Sequence, residues 1–312
     1  MDKNLSSNLD NLYDLCTVII PTFFPSDKIF DNLNSIPSKL NIIVVDNSYN
    51  LSLKDKISNY QNCTYFNIGD LGLSKTFNFA LSKINSKYIL LTQPDVILRK
   101  NCIENLINGI EKYKDAGLVA PIVYDDNTYS KYDFYDLNYS KEKKKFVKRK
   151  SKKFLSAPNG DFCVDAVNET VMLINVKALK KINGFDENYY LFLEDMDLCL
   201  RLKLNNYSII KIVNAEADHF GGNSHSKKIK REINKTRIWH FTWSSLYFES
   251  KFTKKYLVLQ KTFTIIFISI IKLLSNLMIL RFAKVIKNAV KISACFAFIL
   301  NRSSYFRAKY KD

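Results

Sequence analysis

The chain has 312 residues, 47% hydrophobic and 25% charged, the balance of an ordinary globular protein with room for one large core plus an appendage. Lys and Arg outnumber Asp and Glu by 47 to 30, giving a formal net charge of +17, which suits an anionic partner or reflects a broad bias toward Lys, Asn and Ile. Six cysteines lie scattered without a C-x-x-C pair, so neither a zinc site nor a disulfide framework is indicated.

The N-terminus is polar and acidic, with Asp2, Asp10 and Asp14 and no basic-then-apolar leader, so a cytosolic-facing protein is expected. Cys16 to Pro21 reads as a buried strand, β-branched, continuous and stopped by proline. Asn41 to Asp46, Lys87 to Thr92 and Gly117 to Pro121 repeat that signature. Between the last two, Ile103, Leu106, Ile107 and Ile110 share one helical face. Strands alternating with helices imply a mainly parallel sheet covered on both faces. Ligands of such sheets bind beyond the carboxyl ends of the strands, where Pro21-Thr22, Asp46-Asn47 and Gln93-Pro94-Asp95 all fall.

Residues 125–155 break this rhythm. Lys141 to Lys153 holds nine Lys or Arg, and a solvated loop or hairpin is expected, either a charged surface excursion or a flap over phosphates or membrane. From about Trp239 the chain changes again. Thr262 to Leu280 carries one charge, Lys272, yet Lys261, Thr264, Lys272, Ser275 and Asn276 fall on one narrow stripe. In the next segment Lys284, Lys287 and Lys291 share a face opposite Phe282, Val285, Ile286 and Ala289, the pattern of a helix in a membrane interface. Peripheral attachment to the cytoplasmic membrane surface is expected, with a single span or a subunit or domain interface as alternatives. The expected division is a catalytic domain over 1–237, with 125–155 as a basic insertion, and a helical membrane-associating region over 238–312.

Acidic residues are scarce in so basic a chain, yet Asp186, Glu187, Glu194, Asp195 and Asp197 cluster among Phe, Tyr and Leu. Asp46 is either a partner for a ribose or base or a turn residue. Asn67 to Ser74 carries Gly69 and Gly72, which permit close backbone approach to an anion, but the full G-x-G-x-x-G is absent. Asp95 is either a ligand for Mg²⁺ or Mn²⁺ or an acid in a proline turn. His219 is either a second metal ligand or a structural residue before a glycine turn. Glu194 and Asp195 open a helix running to about Leu204, where acids also offset the helix dipole.

In combination these stretches resemble the family 2 glycosyltransferases of the GT-A fold, particularly the bacterial rhamnosyltransferase-like branch that builds O-antigen and capsule chains. The resemblance rests on Val18 to Thr22, Val44 to Asn47, Asn67 through Asn78, Gln93-Pro94-Asp95, Gly184 to Glu187, Glu194 to Asp197 and His219 through Ser224. It implies an inverting, metal-dependent transfer from a nucleotide-diphospho-sugar donor to a lipid-linked glycan acceptor. Pro21, Thr22 and Asp46 would lie near the nucleoside, with Asn67, Gly69, Asn78 and Asp95 completing the donor site. Asp95 and His219 would hold the Mg²⁺ or Mn²⁺, Asp195 would deprotonate the acceptor, and Glu194 would sit beside it. The chain departs from the family pattern at Gln93, which replaces the first acid of the metal motif. It departs again at Glu169, where a glycine near the donor sugar is usual; this residue is expected to touch donor or acceptor. A nucleotidyltransferase would carry a basic, Gly-rich loop where Pro21 to Pro25 stands. A non-enzymatic basic protein binding membrane or nucleic acid is the other alternative, but no known nucleic-acid module is present and no nucleic-acid partner is expected.

Overall fold

The computed structural model describes residues 12–48, 52–125, 128–129, 134–146, 159–221 and 230–307. Gly222 to His225 and the basic stretch beyond Phe146 lie outside them. The elements in order are β1 (Cys16–Thr22), α1 (Lys28–Asn34), β2 (Asn41–Asp46), α2 (Ser52–Ile57), β3 (Cys63–Asn67), α3 (Leu73–Leu81), β4 (Tyr88–Thr92), β5 (Val96–Leu98), α4 (Cys102–Lys112) and β6 (Ala116–Asp125). Short strands follow: β7 (Thr128–Tyr129), β8 (Phe134–Tyr135), β9 (Tyr139–Ser140), β10 (Lys145–Phe146), β11 (Phe162–Cys163) and β12 (Ala166–Val167). The chain continues with β13 (Val171–Asn175), α5 (Val176–Lys181), α6 (Glu194–Leu204), β14 (Ser208–His219), α7 (Lys230–Phe252), α8 (Lys255–Met278) and α9 (Phe282–Ile299).

The main sheet runs β11-β14-β6-β13-β4-β1-β2-β3. β1 pairs in parallel with both β2 and β4, and β2 with β3. Every residue of β1 is buried, as expected of a parallel strand with both faces covered. The helical face read from Ile103, Leu106, Ile107 and Ile110 is the buried face of α4. Gly109 lets α4 approach β14 closely, since a Cβ there would stand 2.6 Å from the Cδ1 of Ile212. The fold is mixed α/β with a mostly parallel sheet.

Two features differ from the sequence reading. β13 is antiparallel to both β4 and β6. An antiparallel strand buried on both faces has the same apolar run as a parallel one, so its direction cannot be read from composition. β14 also runs on to His219, six residues past Val213, where the strand-like apolar pattern that begins at Tyr207 stops in the sequence, because a register shift between Ile212 and Glu216 lets pairing with β6 resume. His219 is therefore the last residue of a strand and pairs with Val96 of β5. Within the stretch expected to be a loop or hairpin, β9 and β10 form an antiparallel pair.

The chain forms two compact units. One comprises residues 1–137, 150–186 and 195–226; the other comprises 138–149, 187–194 and 227–312. The expected boundary at 237 falls inside α7. In the second unit Trp239, Trp243 and Tyr247 stack along α7 at helical spacing, and Ala294 and Ala297 of α9 pack on the two tryptophans. His240 stacks on Tyr190 and bonds the Phe306 carbonyl at 2.8 Å; burial pulls its pKa down to about 3, so it is a neutral structural histidine. Phe263, Phe267, Leu277, Met278, Leu280 and Phe282 of α8, α9 and their connection remain exposed.

Candidate active site

Lateral register lines up the expected donor residues. Thr22 stands opposite Asp46, and Asp46 opposite Asn67, in one row at the carboxyl ends of β1, β2 and β3. Asp46 is fully buried and accepts the Ser48 N–H and Oγ–H, each at 2.9 Å, and the Tyr65 hydroxyl at 2.8 Å. Burial, together with the Asp46 carboxylate, pushes the Tyr65 hydroxyl up to about 12, so it stays a donor. Asn67 donates to the Ser48 carbonyl at 2.7 Å and accepts the Gly69 N–H at 3.2 Å, which shapes the turn into α3. Pro21 lies opposite Val45 inside the pairing. The Thr22 and Ser74 hydroxyls are buried and make no hydrogen bond among the described residues. Ser74 was not singled out from sequence, because a serine opening a helix carries no signal beyond capping.

Asn78 sits lower on α3. Its amide donates to the Phe185 carbonyl and accepts the Phe185 N–H, both at 2.9 Å. Gly184 has φ +69°, and a Cβ on it would stand 2.6 Å from the Asn78 Oδ1, so only glycine fits this clamp. Arg201 holds the same loop through the Ile182 and Gly184 carbonyls at 2.8 and 2.7 Å, while its Nε pairs with the buried Asp197 at 2.6 Å. The acidic cluster thus divides: Asp197 is an ion-pair partner inside α6.

Gln93-Pro94-Asp95 forms the turn from β4 to β5. Asn32 of α1, another residue the sequence did not flag, braces it by donating to the Thr92 hydroxyl at 3.3 Å and the Val96 carbonyl at 2.8 Å. The buried Asp95 carboxylate lies 3.7 Å from the His219 Nε2, and the His219 Nδ1 lies 3.3 Å from Asp125. Arg99 fixes the end of β14 beside them through both oxygens of Asp218, at 2.8 and 2.5 Å, and lies over the Tyr124 ring. No group of three His, Cys, Asp or Glu suited to a metal occurs among the described residues. One carboxylate and one imidazole fit a divalent ion such as Mn²⁺ that takes its remaining ligands from a diphosphate and water.

Asp195 is buried in the first turn of α6 and accepts the Met196 N–H at 2.7 Å. Glu194, also buried, is the first residue of that helix. Phe192 and Leu193, just before it, have φ of +69° and +70°, a conformation costly for residues with side chains and often found beside functional groups. Within the second unit Phe192 packs edge-on against Phe241. Glu169 lies against Asp195: its N–H donates to the Asp195 carboxylate, and the two carboxyls are within hydrogen-bonding reach. Gln93, the other departure from the family pattern, donates from Nε2 to the Glu169 Oε1 at 3.2 Å. Burial first, and then the facing Glu169, hold the Asp195 carboxyl well above the ordinary carboxylate range.

Comparison with known proteins gives a consistent picture. Residues 17–169 match the family model described as glycosyl transferase family 2. The chain is 25% identical over 236 residues to the rhamnosyltransferase WbbL of Escherichia coli (strain K12), covering 72% of this chain and 88% of that protein. A structure of GalNAc-T7 with UDP, GalNAc and Mn²⁺ aligns with a TM-score of 0.51 at 12% identity, covering 75% of this chain. The chain spans about half, 51%, of that protein. The mannosyltransferase PcManGT of Pyrobaculum calidifontis, in complex with GDP-Man and Mn²⁺, aligns with a TM-score of 0.51 at 13% identity over 92% of this chain and 74% of its own. At such identities these two likenesses speak to the fold alone, which is GT-A.

Proposed function

We propose that this chain, whose residues 17–169 match the model of glycosyl transferase family 2, carries out an inverting transfer of rhamnose or another hexose from a nucleotide-diphospho-sugar to a lipid-linked glycan of bacterial O-antigen or capsule. The observation that carries this reading is the row of Thr22, Asp46 and Asn67 at the strand ends, with the buried Asp95 at the next turn. In this reading the Thr22 and Ser74 hydroxyls turn toward the donor, and Asp46 shapes the nucleoside end from within its ring of donors. Asp95 and His219 would hold Mn²⁺ or Mg²⁺, which would offset charge developing on the leaving diphosphate. Asp195 takes the acceptor hydroxyl's proton while the oxygen attacks the anomeric carbon opposite the diphosphate, giving inversion in one displacement. The Mn²⁺ named in the GalNAc-T7 and PcManGT structures supports this metal choice. The 25% identity to a rhamnosyltransferase supports the sugar class.

Thermal-shift titration with uridine, thymidine and guanosine diphospho-sugars in Mn²⁺ tests the reading. One of them should raise Tm in a concentration-dependent way, because a ligand that binds only the folded state stabilises it. No shift with any donor at millimolar concentration counts against it.

The second unit supplies the membrane side of this proposal. α8 is long and apolar enough to cross a membrane, but Lys272, midway along the apolar stretch from Thr262 to Leu280, would cost about 2.5–3.5 kcal/mol at a bilayer centre. The exposed Phe263, Phe267, Met278, Leu280 and Phe282, with Lys284 and Lys287 nearby, suit a helix pair lying in the cytoplasmic interface. The protein should sediment with anionic vesicles and be released by alkaline carbonate; retention through carbonate would establish a span instead.

A further inference from the structure

Glu169 precedes β13, and the antiparallel register brings it to the carboxyl end of β4. Val171 stands opposite Thr92, and the Gln93 N–H donates to the Thr170 carbonyl at 3.1 Å. Gln93 Nε2 then takes one oxygen of the Glu169 carboxyl at 3.2 Å. The Glu169 carboxyl also faces Asp195, whose carboxylate receives the Glu169 and Met196 N–H groups. On its own helix Asp195 is followed a turn later by the buried Cys199 thiol, and Asp197 is tied to Arg201. Glu169 is the charged group that faces Asp195 from the neighbouring elements among the described residues. Two ionised carboxylates at this range repel, and one proton between them turns repulsion into a strong hydrogen bond. Asp195 is buried, whereas Glu169 is half-buried.

Resting on the reading of Asp195 as the acceptor base, we propose that Glu169 and Asp195 hold one proton between their carboxyls and that Glu169 passes the acceptor's proton to solvent. In the resting pair Gln93 occupies Oε1 of Glu169, and the proton on the other oxygen is donated to the Asp195 carboxylate. As the acceptor O–H bond breaks, its proton joins Asp195. Its electron pair forms the new bond to the anomeric carbon, and the sugar–phosphate bond electrons leave with the diphosphate. The pair then carries two protons and no charge, and one proton leaves to water from Glu169. Glu169 acts through Asp195 and is a positioning residue.

The sign of the pH effect follows from the raised Asp195 value. The folded form binds protons that the unfolded chain has released, so stability is full below an unfolded carboxylate value of about 4 and is lost as pH rises through the folded value. Glu169→Gln keeps the shape of the pair and removes one ionisable group. The Tm of the parent should fall more steeply between pH 5 and pH 8 than that of Glu169→Gln. The acid limb of kcat/KM should move down by about one pH unit or more in the variant. Parallel Tm profiles overturn the shared proton, and a changed Tm profile with an unmoved acid limb overturns the relay. Glu169→Gly, with the same two measurements, serves if the glutamine variant does not fold. The Tm comparison needs no substrate, so it stands apart from the assignment of the base, which full turnover in Asp195→Asn would sink.

Discussion

Where β1, β2 and β3 end, the buried Asp46 carboxylate is ringed by a backbone N–H, a serine hydroxyl and a tyrosine hydroxyl; where β4 ends beside β13, the buried Asp195 carboxylate meets a second carboxyl. Both groups are acids at the carboxyl edge of one sheet, and both are shielded from water. The first has its oxygens engaged by three donors, so it holds a fixed shape. The second gains by holding a proton nearby, because burial and the facing carboxyl both raise its affinity for one. Burial alone therefore says little about a carboxylate's work, and the chemistry of what faces it says more. Asp197, two residues from Asp195 on the same helix, makes the same point: its partner is Arg201 at 2.6 Å, and its role is to hold the Gly184 loop.

The contrast can be broken at either end. The largest effect is expected from Asp195→Asn, which should lower transfer by about 10²–10⁴-fold, the usual contribution of a general base. Donor-induced thermal shifts should persist in that variant, and Tm at pH 8 should not fall, because a poorly placed charge has been removed. A loss of Tm together with activity would instead place Asp195 among the structural acids. Arg201→Met should behave in the opposite way. It strands Asp197 as an uncompensated buried charge and should cost about 3–5 kcal/mol in urea-unfolding free energy. If Arg201→Met unfolds at the parent's urea midpoint, the ion pair is not what secures the loop. The smallest effect sharpens the comparison, since Glu169→Gln should leave the fold intact and change chiefly how Tm and rate depend on pH.

Much of the sheet was legible in the sequence. Val18 to Thr22, Ile42 to Asp46 and Ile89 to Thr92 are apolar runs ending in polar residues, and each is a strand delivering that residue to the carboxyl edge. The opening of a helix at Glu194 and its end at Leu204 were legible as well. The environment of each acid was not. Nothing in the spacing reveals that the Tyr65 hydroxyl closes on Asp46, or that Asn32 braces the turn carrying Asp95. Asn78, read as part of the donor motif, has its amide on the Phe185 backbone, a partner far away in sequence.

The amino-acid sequence by itself determined which segments are buried and where the acids stand relative to strand ends. Hydrophobic periodicity and proline, glycine and cap residues act over a few positions, so they can be read from short windows. Only the tertiary structure decided which acid faces which. β13 enters the sheet against the direction of its neighbours, and that reversal sets Glu169 beside Gln93 and Asp195. Strand direction is chosen by packing and pairing across the whole sheet. For that reason two unremarkable departures in the sequence, Gln93 and Glu169, become one hydrogen-bonded unit at the candidate base.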